Sequence, residues 1–282
     1  MSKCKICASE NIIDKKNGST KLIYCQDCDV YYLRDIPEQN TVDNYYSTDY
    51  SLHSGSGDII EDEHRRLFRS TEQIYLISEI KKFAAAGGSI LDIGCDKGFF
   101  LDEARRWGFK VKGVEPMTQS SVYAKNIGID VVTSLDDVSE TYDVVTMWHS
   151  LEHFTEPKEG LKSIREKIDD SGMIFIRVPA YNSIWSKLLK SRWIWFQPEN
   201  HYFHYTHKSL GVLLRESGFA VEKISMRYPN DRFTKKMFNN LNSFFRYAFD
   251  RSVPFKKRLS RLYEDMTGVE LFAVAKKSDI KM

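Results

Sequence analysis

Features that mark membrane, exported and nucleic-acid-coating proteins are missing from this chain. Its 282 residues contain no run of about 18 apolar residues, so no helix is expected to cross a bilayer. Residues 1–7 lack the apolar segment of a signal peptide, which predicts a cytoplasmic protein. A net charge of +2, from 41 basic and 39 acidic residues, does not favour nucleic acid as a partner. The absence of internal repeats excludes a repeat array.

Cysteine is scarce, and its placement is uneven. Four of the five cysteines form two C-x-x-C pairs near the N-terminus, namely Cys4, Cys7, Cys25 and Cys28. Two such pairs match the spacing of a four-thiolate zinc site. The segments 12–13 and 21–24 between them are expected to form short strands of a zinc ribbon. Disulfides fit less well without an export signal. A closed set of four ligands leaves no open position, so the predicted Zn²⁺ is structural.

A glycine-bounded turn follows a short apolar strand pattern in the first half of the chain. Residues 90–93 indicate the strand, Gly94 and Gly98 bound the turn, and a helical pattern begins at Phe99. Glycine lets the backbone approach a ligand closely, and the free N–H groups at a helix start favour a carboxylate or a phosphate. The turn is therefore a candidate cradle for a nucleotide-type cofactor.

Two later strands bring side chains to the same edge of the predicted sheet. Residues 110–115 end in Glu115, whose carboxylate can accept both hydroxyl protons of a ribose. Residues 142–147 indicate a further strand, which is followed by Trp148 and His149. A strand, a glycine turn, a helix and an acid about 20 residues further on suit two classes of nucleotide cofactor.

The motif Leu91-Asp92-Ile93-Gly94-Cys95-Asp96-Lys97-Gly98 resembles that of the class I S-adenosylmethionine (SAM)-dependent methyltransferases. A dinucleotide turn would instead read G-x-G-x-x-G. Asp96 replaces the usual middle glycine, and Asp tolerates a left-handed backbone better than most residues. The resemblance covers about residues 60–225. It implies an α/β Rossmann-like fold with a seven-stranded, mostly parallel sheet, whose antiparallel last strand, residues 269–275, inserts between its two predecessors.

The resemblance also implies roles for the residues around the turn. The turn would hold the amino acid tail of SAM, Asp92 its ammonium group and Glu115 its ribose. For Asp136, proposed to accept the adenine amino group, the structural alternative is an acid at a helix N-terminus. The predicted cofactor-binding residues are Asp92, Gly94, Cys95, Gly98, Glu115, Met117, Asp136 and Trp148.

The methyl acceptor is expected at the end of strand 142–147. There, residues 151–154 with Pro157 resemble the L-E-H…P segment of small-molecule methyltransferases. Alternatively, the acid and the histidine of this segment fix the loop by hydrogen bonds to the backbone. An imidazole can take a proton near pH 7, so His149 is expected to act as base or positioning group. The predicted catalytic residues are His149, His201, His153 and Tyr46.

A second dense cluster lies at residues 198–207, with Pro198, His201 and Thr206 resembling a segment of the same family. Thr206 is a candidate helix N-cap. Three histidines at a spacing of three residues, His201, His204 and His207, suggest a metal site. Because no acid triad accompanies them in the sequence, we expect the wall of a lid over the site instead.

The chain divides by pattern into three parts. Residues 1–36 indicate the zinc ribbon, 37–59 a linker, and 60–282 the methyltransferase domain. Within the last part, residues 227–266 form a basic and aromatic insertion before the last strand. A basic amphipathic segment can contact an anionic membrane surface or a phosphate-bearing substrate, whereas a solvated face over the core is the plainer alternative.

These patterns predict transfer of a methyl group from SAM to a small-molecule acceptor. A ribbon ahead of this fold is similar to sugar C-methyltransferases acting on nucleotide-linked sugars, although these carry a further C-terminal domain. A precursor of a polysaccharide or secondary metabolite is the wider expectation. The alternatives are an RNA methyltransferase that uses the ribbon for RNA binding, and a non-catalytic SAM-binding scaffold. The acceptor atom and the oligomeric state stay open.

Overall fold

Two sheets organise the chain. The structure, a computed structural model, describes residues 3–38, 73–84, 87–227 and 268–278. The larger sheet has seven strands, in the order β6-β5-β4-β7-β8-β11-β10. They are β4 (Ser89–Ile93), β5 (Lys110–Val114), β6 (Asp130–Val132), β7 (Tyr142–Trp148), β8 (Ile168–Pro179), β10 (Phe219–Arg227) and β11 (Glu270–Lys277).

Strand direction in the large sheet matches the predicted Rossmann-like arrangement. The neighbours from β6 to β8 are parallel, while β11 is antiparallel to both β8 and β10, between which it lies. Near-continuous apolar runs such as that of β8 fit strands whose two faces are both covered. The predicted fold class, including the inserted last strand, is confirmed. The carboxyl ends of β4, β5 and β7 meet at one edge, where ligands of such sheets bind.

Helices cover both faces of this sheet. They are α1, described over residues 73–80, α2 (Phe99–Arg106), α3 (Thr118–Asn126), α4 (Pro157–Arg165), α5 (Ile184–Leu189) and α6 (His207–Glu216). One apolar cluster includes side chains of α1, α2 and α3, and the other includes side chains of α4 and α6. Thr206 caps α6 as predicted, since its hydroxyl accepts the N–H of Ser209. Among the described residues, no helix is long and apolar enough for a bilayer.

The smaller sheet joins the N-terminal segment to the rest of the chain. Its strands are β1 (Ile12–Asn17), β2 (Thr20–Cys25), β3 (Tyr31–Leu33) and β9 (Phe203–His204), in that order. The backbone N–H of Leu33 donates to the carbonyl of Tyr202 at 2.9 Å. We call residues 3–38 the ribbon. Its apolar side chains share one core with α4 and α6. The pairing of β3 with β9 also connects the two sides of the predicted boundary at residue 36.

Several predictions fall on residues outside the described ranges. They concern most of the linker 37–59, with Tyr46, and nearly all of the insertion 227–266. These stay predictions from the sequence.

Candidate functional site

The turn after β4 takes the backbone conformations that its glycines allow. Gly94 and Gly98 have φ values of 75° and 72°. A Cβ atom on Gly94 would lie 2.8 Å from Cβ of Ser150, so a larger residue would push the turn away from β7. Asp96, in place of the middle glycine, is also left-handed, at φ 49°. Its carboxylate is held by the Ser120 hydroxyl at 2.7 Å.

Two buried carboxylates flank this turn. Thr146 Oγ1 donates to Asp92 Oδ1 at 2.7 Å. The carboxylate of Glu115 accepts two backbone N–H groups, from Asp96 and Met117, each at 2.8 Å. The side chain of Glu115 thereby ties the turn to the start of α3. We call the turn 94–98 with Asp92 and Glu115 the cradle.

Burial sets the charge state of both cradle acids. It raises the pKa of Asp92 to about 7, with the Thr146 hydroxyl acting in the opposite direction and Glu115 in the same one. Burial also raises the pKa of Glu115 to about 7 against the effect of its two backbone donors. A ligand that brings a cation and hydroxyl groups would stabilise both carboxylates in their charged form. The ammonium and ribose groups of SAM have this chemistry.

The other residues predicted to bind the cofactor differ in their surroundings. Cys95 is buried under β5, where a Cβ on Gly113 would lie 2.4 Å from its sulfur. Met117 is half-buried beside Ser120, and Asp136 is exposed on the 3-10 turn after β6. Trp148 packs edge-on against Phe100, with ring centroids 5.3 Å apart, inside the core. The described contacts thus give Cys95 and Trp148 packing roles.

His149 lies between two buried acids at the end of β7. Its Nε2 is 2.9 Å from Glu270 Oε1, and its Nδ1 is 3.4 Å from Glu152 Oε1. Burial lowers the pKa of His149, but the two carboxylates outweigh this and raise it to about 9. Both ring nitrogens therefore carry protons near pH 7. The predicted role of His149 as a neutral base does not fit these contacts, because a base needs a free lone pair.

Arg177 completes this charge cluster from β8. Its guanidinium forms a salt bridge with Glu270, with Nε 2.9 Å from Oε2. Burial by itself raises the pKa of Glu270, but Arg177 and then His149 lower it to about 2. For Glu152, burial is likewise outweighed, chiefly by His149, and its pKa is lowered. Two anions and two cations thus neutralise one another in this cluster.

Segment 195–206 faces the loop 149–153, and we call these two segments together the acceptor side. The ring of Trp195 stacks on His149 with centroids 4.8 Å apart. His153 Nδ1 donates to the carbonyl of Asn200 at 2.8 Å, and His201 Nδ1 donates to that of Trp195 at 2.9 Å. Three of the four predicted catalytic residues are therefore brought together here, whereas Tyr46 lies outside the described ranges.

The four N-terminal cysteines meet in one place. Cys4 and Cys28 have their sulfurs 3.6 Å apart, as do Cys7 and Cys25, and all four sulfurs lie within 4.8 Å of one another. None forms a disulfide. Four thiolates about 2.3 Å from a tetrahedral Zn²⁺ would be about 3.8 Å apart, so the donor set fits this ion.

Sequence reasoning missed two members of the ion cluster around His149, namely Arg177 and Glu270. Each is a charged residue within an apolar, buried strand pattern, and that mismatch was the available signal. Thr146 and Ser120, which hold Asp92 and Asp96, carried no such signal, since short hydroxyl side chains occur throughout.

Comparison with known proteins agrees with this geometry. The family profile described as "Methyltransferase domain" matches residues 63–224, more than half of the chain. A curated relative, the ubiquinone biosynthesis O-methyltransferase of Aeromonas salmonicida, is 33% identical over 101 residues. That match covers 32% of this chain and 42% of the relative, so the chain spans about two fifths of the curated relatives it matches.

Two solved structures share the fold. A SAM-dependent methyltransferase from Archaeoglobus fulgidus is 19% identical with a TM-score of 0.51, covering 74% of this chain and 94% of its own. Magnesium protoporphyrin IX methyltransferase from Synechocystis PCC 6803, solved with bound SAH, is 13% identical with a TM-score of 0.54. The match covers 86% of this chain and all of that one. At these identities the likeness shows the fold alone.

Proposed function

The chain belongs to the SAM-dependent methyltransferase family, and on this premise we propose that it methylates a hydroxyl group of a small molecule. The hydroxyl is favoured because the curated relatives are named as O-methyltransferases. A nucleotide-linked sugar or another precursor of a polysaccharide or secondary metabolite is the acceptor class to test first. The observation that carries the proposal is the meeting of the cradle with an aromatic acceptor side, where Gly94 lies so close to Ser150 that a Cβ on Gly94 would be 2.8 Å from Cβ of Ser150.

The cradle suits the parts of SAM that do not react. We propose that the turn 94–98 and Asp92 hold the amino acid tail, Glu115 the ribose, and Met117 and Asp136 the adenine. SAM, when bound, supplies the methyl group from its sulfonium. The displacement of that group is in line, so the chain contributes chiefly alignment and the exclusion of water.

The acceptor side offers flat surfaces rather than a charged groove. Trp195 is half-buried, and its indole N–H has no partner among the described residues. His204 is buried between the rings of Tyr181 and Phe196, each 4.9 Å away, and this stack supports the segment from inside the fold. The half-buried ring of Trp195 is the surface that we propose packs against a sugar or an aromatic ring of the acceptor. Within this arrangement we propose that His149 positions Trp195 and the loop, and that it does not remove the acceptor's proton.

We also propose that Cys4, Cys7, Cys25 and Cys28 bind one structural Zn²⁺. The pairing of β3 with β9 would then connect the ribbon's metal to the acceptor side. Metal analysis of Cys25→Ser should show about one zinc per chain less than the unaltered protein. An unchanged zinc content would exclude this site.

The proposed function is tested by a labelled-methyl transfer screen over nucleotide sugars, hydroxylated aromatic metabolites and bulk RNA. Transfer to one of the small molecules is expected. In Glu115→Ala, loss of the carboxylate should weaken SAM binding by about 1–3 kcal/mol and reduce transfer with it. Asp137→Ala, an exposed acid beside Asp136, is the matched control and should leave both unchanged. Transfer only to RNA would reject the small-molecule proposal.

A further inference from the structure

A buried carboxylate and two histidines converge within the acceptor side. One potential ligand atom from each of Glu152, His153 and His201 lies within 4.8 Å of the other two. The sequence argued against a metal here because no acid triad accompanies the histidines of segment 198–207. Folding brings a buried acid to two of the histidines from the loop after β7, about 50 residues earlier in the chain. We call these three residues the histidine cluster.

Glu152 is the member of this cluster whose buried side chain lacks hydrogen-bond donors among the described residues. It is 0% exposed, and neither carboxylate oxygen accepts a hydrogen bond within the described part of the chain. Its one ionic neighbour there, His149, is 3.4 Å away from Oε1, without hydrogen-bond geometry. A buried carboxylate without donors is costly, so such groups are normally paired or bound to a metal.

Both histidines of the cluster are oriented as metal ligands usually are. Each ring donates its Nδ1–H to a backbone carbonyl, that of Asn200 for His153 and that of Trp195 for His201. In a neutral ring with its proton on Nδ1, Nε2 is the nitrogen that can bind a metal. Ligating histidines characteristically make this second hydrogen bond, which fixes the tautomer and the ring orientation.

We propose that Glu152, His153 and His201 bind a divalent transition-metal ion, distinct from the zinc of the ribbon. Two imidazoles and one carboxylate are an established donor set for Zn²⁺ and for other first-row ions. Ligand atoms about 2.0–2.2 Å from one tetrahedral ion lie about 3.3–3.6 Å apart, so closing the cluster from within 4.8 Å takes shifts of at most about 1 Å.

Such an ion would connect the loop 149–153 to segment 195–206. Three protein ligands leave at least one position open. An acceptor hydroxyl bound there would have its pKa lowered, with its proton passing to water. This chemical role rests on the proposed function, whereas metal binding does not, and binding is therefore measured without SAM or acceptor.

The test uses the full chain with its ribbon metal retained. Mn²⁺, which prefers oxygen and nitrogen ligands to thiolates, is titrated by calorimetry and by electron paramagnetic resonance, and Zn²⁺ is titrated in parallel. One site per chain is expected for Mn²⁺, and one beyond the ribbon's content for Zn²⁺. Glu152→Gln and His153→Gln should each weaken binding by about tenfold to a hundredfold or more.

His207→Ala is the matched control, because His207 continues the same spacing but is exposed and bonds to the carbonyl of Ile224. Its metal affinity should equal that of the unaltered chain. If Glu152→Gln fails to fold, the half-buried His153→Gln still decides the matter. Absence of Mn²⁺ and additional Zn²⁺ binding, or binding that neither variant weakens, would overturn the proposal. Loss of methyl transfer with normal metal binding would count only against the proposed function.

Discussion

The cradle and the ion cluster around His149 each contain two buried acids, and the two pairs are charged by opposite means. In the cradle, burial raises the pKa of Asp92 and Glu115 to about 7, and their neighbours are hydroxyl and backbone donors and one another. In the ion cluster, the cations of Arg177 and His149 hold the pKa of Glu270 at about 2, and His149 lowers that of Glu152.

This difference indicates two roles for buried acids, one in binding a ligand and one in stabilising the fold. A carboxylate that lacks a cation of its own gains most from a ligand that brings one, and it contributes little to the stability of the free protein. A carboxylate already paired inside the fold has its partner at all times, and its removal leaves buried cations behind. The first pair is therefore suited to a ligand, and Glu270 of the second pair to fixing β7, β8 and β11 together.

Breaking the pair in the ion cluster should have the largest effect. Glu270→Gln leaves Arg177 and His149 without their shared carboxylate, so we expect the free energy of unfolding to fall by about 3–5 kcal/mol. Urea denaturation of the SAM-free protein measures this. The exposed pair Lys158–Glu216 provides the control, since Lys158→Met should change stability by less than about 1 kcal/mol. An equally small change for Glu270→Gln would remove the distinction between the two regions.

The same acid-to-amide change in the cradle should act on the ligand instead. The amide oxygen of an asparagine at position 92 can still accept a hydrogen bond from the Thr146 hydroxyl, but the side chain carries no charge. We expect Asp92→Asn to weaken SAM binding by about 1–3 kcal/mol, the usual value of a hydrogen bond to a charged group. The free energy of unfolding at pH 8 should not fall, because a desolvated charge has been removed. Calorimetric titration with SAM and urea denaturation give the two values, and a stability loss near that of Glu270→Gln would contradict this account.

The pH dependence sharpens the contrast. Because the folded-state pKa values of Asp92 and Glu115 lie above the ordinary value of about 4, their contribution to the free protein's stability is full below pH 4 and lost as pH rises through 7. In the proposed placement SAM binds the ionised acids, so its affinity should rise about tenfold per released proton between pH 6 and pH 8. Calorimetric titrations with SAM in buffers of different ionisation enthalpy give the number of protons released on binding. Asp92→Asn should flatten the profile, and a flat profile in the unaltered protein would refute the assignment.

The smallest expected effect concerns the contact of the ribbon with the acceptor side. Thr206 Oγ1 accepts the N–H of Ser209 and donates to the carbonyl of Asp29 at 3.0 Å. Thr206→Val removes both bonds at constant shape, which should cost about 1 kcal/mol of stability. Hydrogen exchange should quicken around residues 203–210 and stay unchanged in the cradle. Faster exchange at residues 92–98 would show that the two regions are coupled.

Local pattern was sufficient for the cradle. Gly94, Gly98 and Glu115 were predicted from spacing alone, because a strand, a turn and a helix that follow one another in the chain also follow one another in space. The left-handed backbone of Asp96 was likewise within reach, since the residue type tolerates it. The sheet order followed from the alternation of strands and helices together with the family resemblance.

The acceptor side depended on tertiary structure. His149 meets Glu270 across 121 residues of sequence, and the ribbon's β3 pairs with a two-residue strand that carries no periodic signal of its own. The sequence could show that His149 follows a strand, but its charge state depends on which acids the fold places beside it. The sequence by itself determined the fold class, the cysteine pairs and the glycine-bounded turn after β4. Only the tertiary structure decided which buried charges are neutralised within the chain, because electrostatic energies depend on distance and burial rather than on order along the chain.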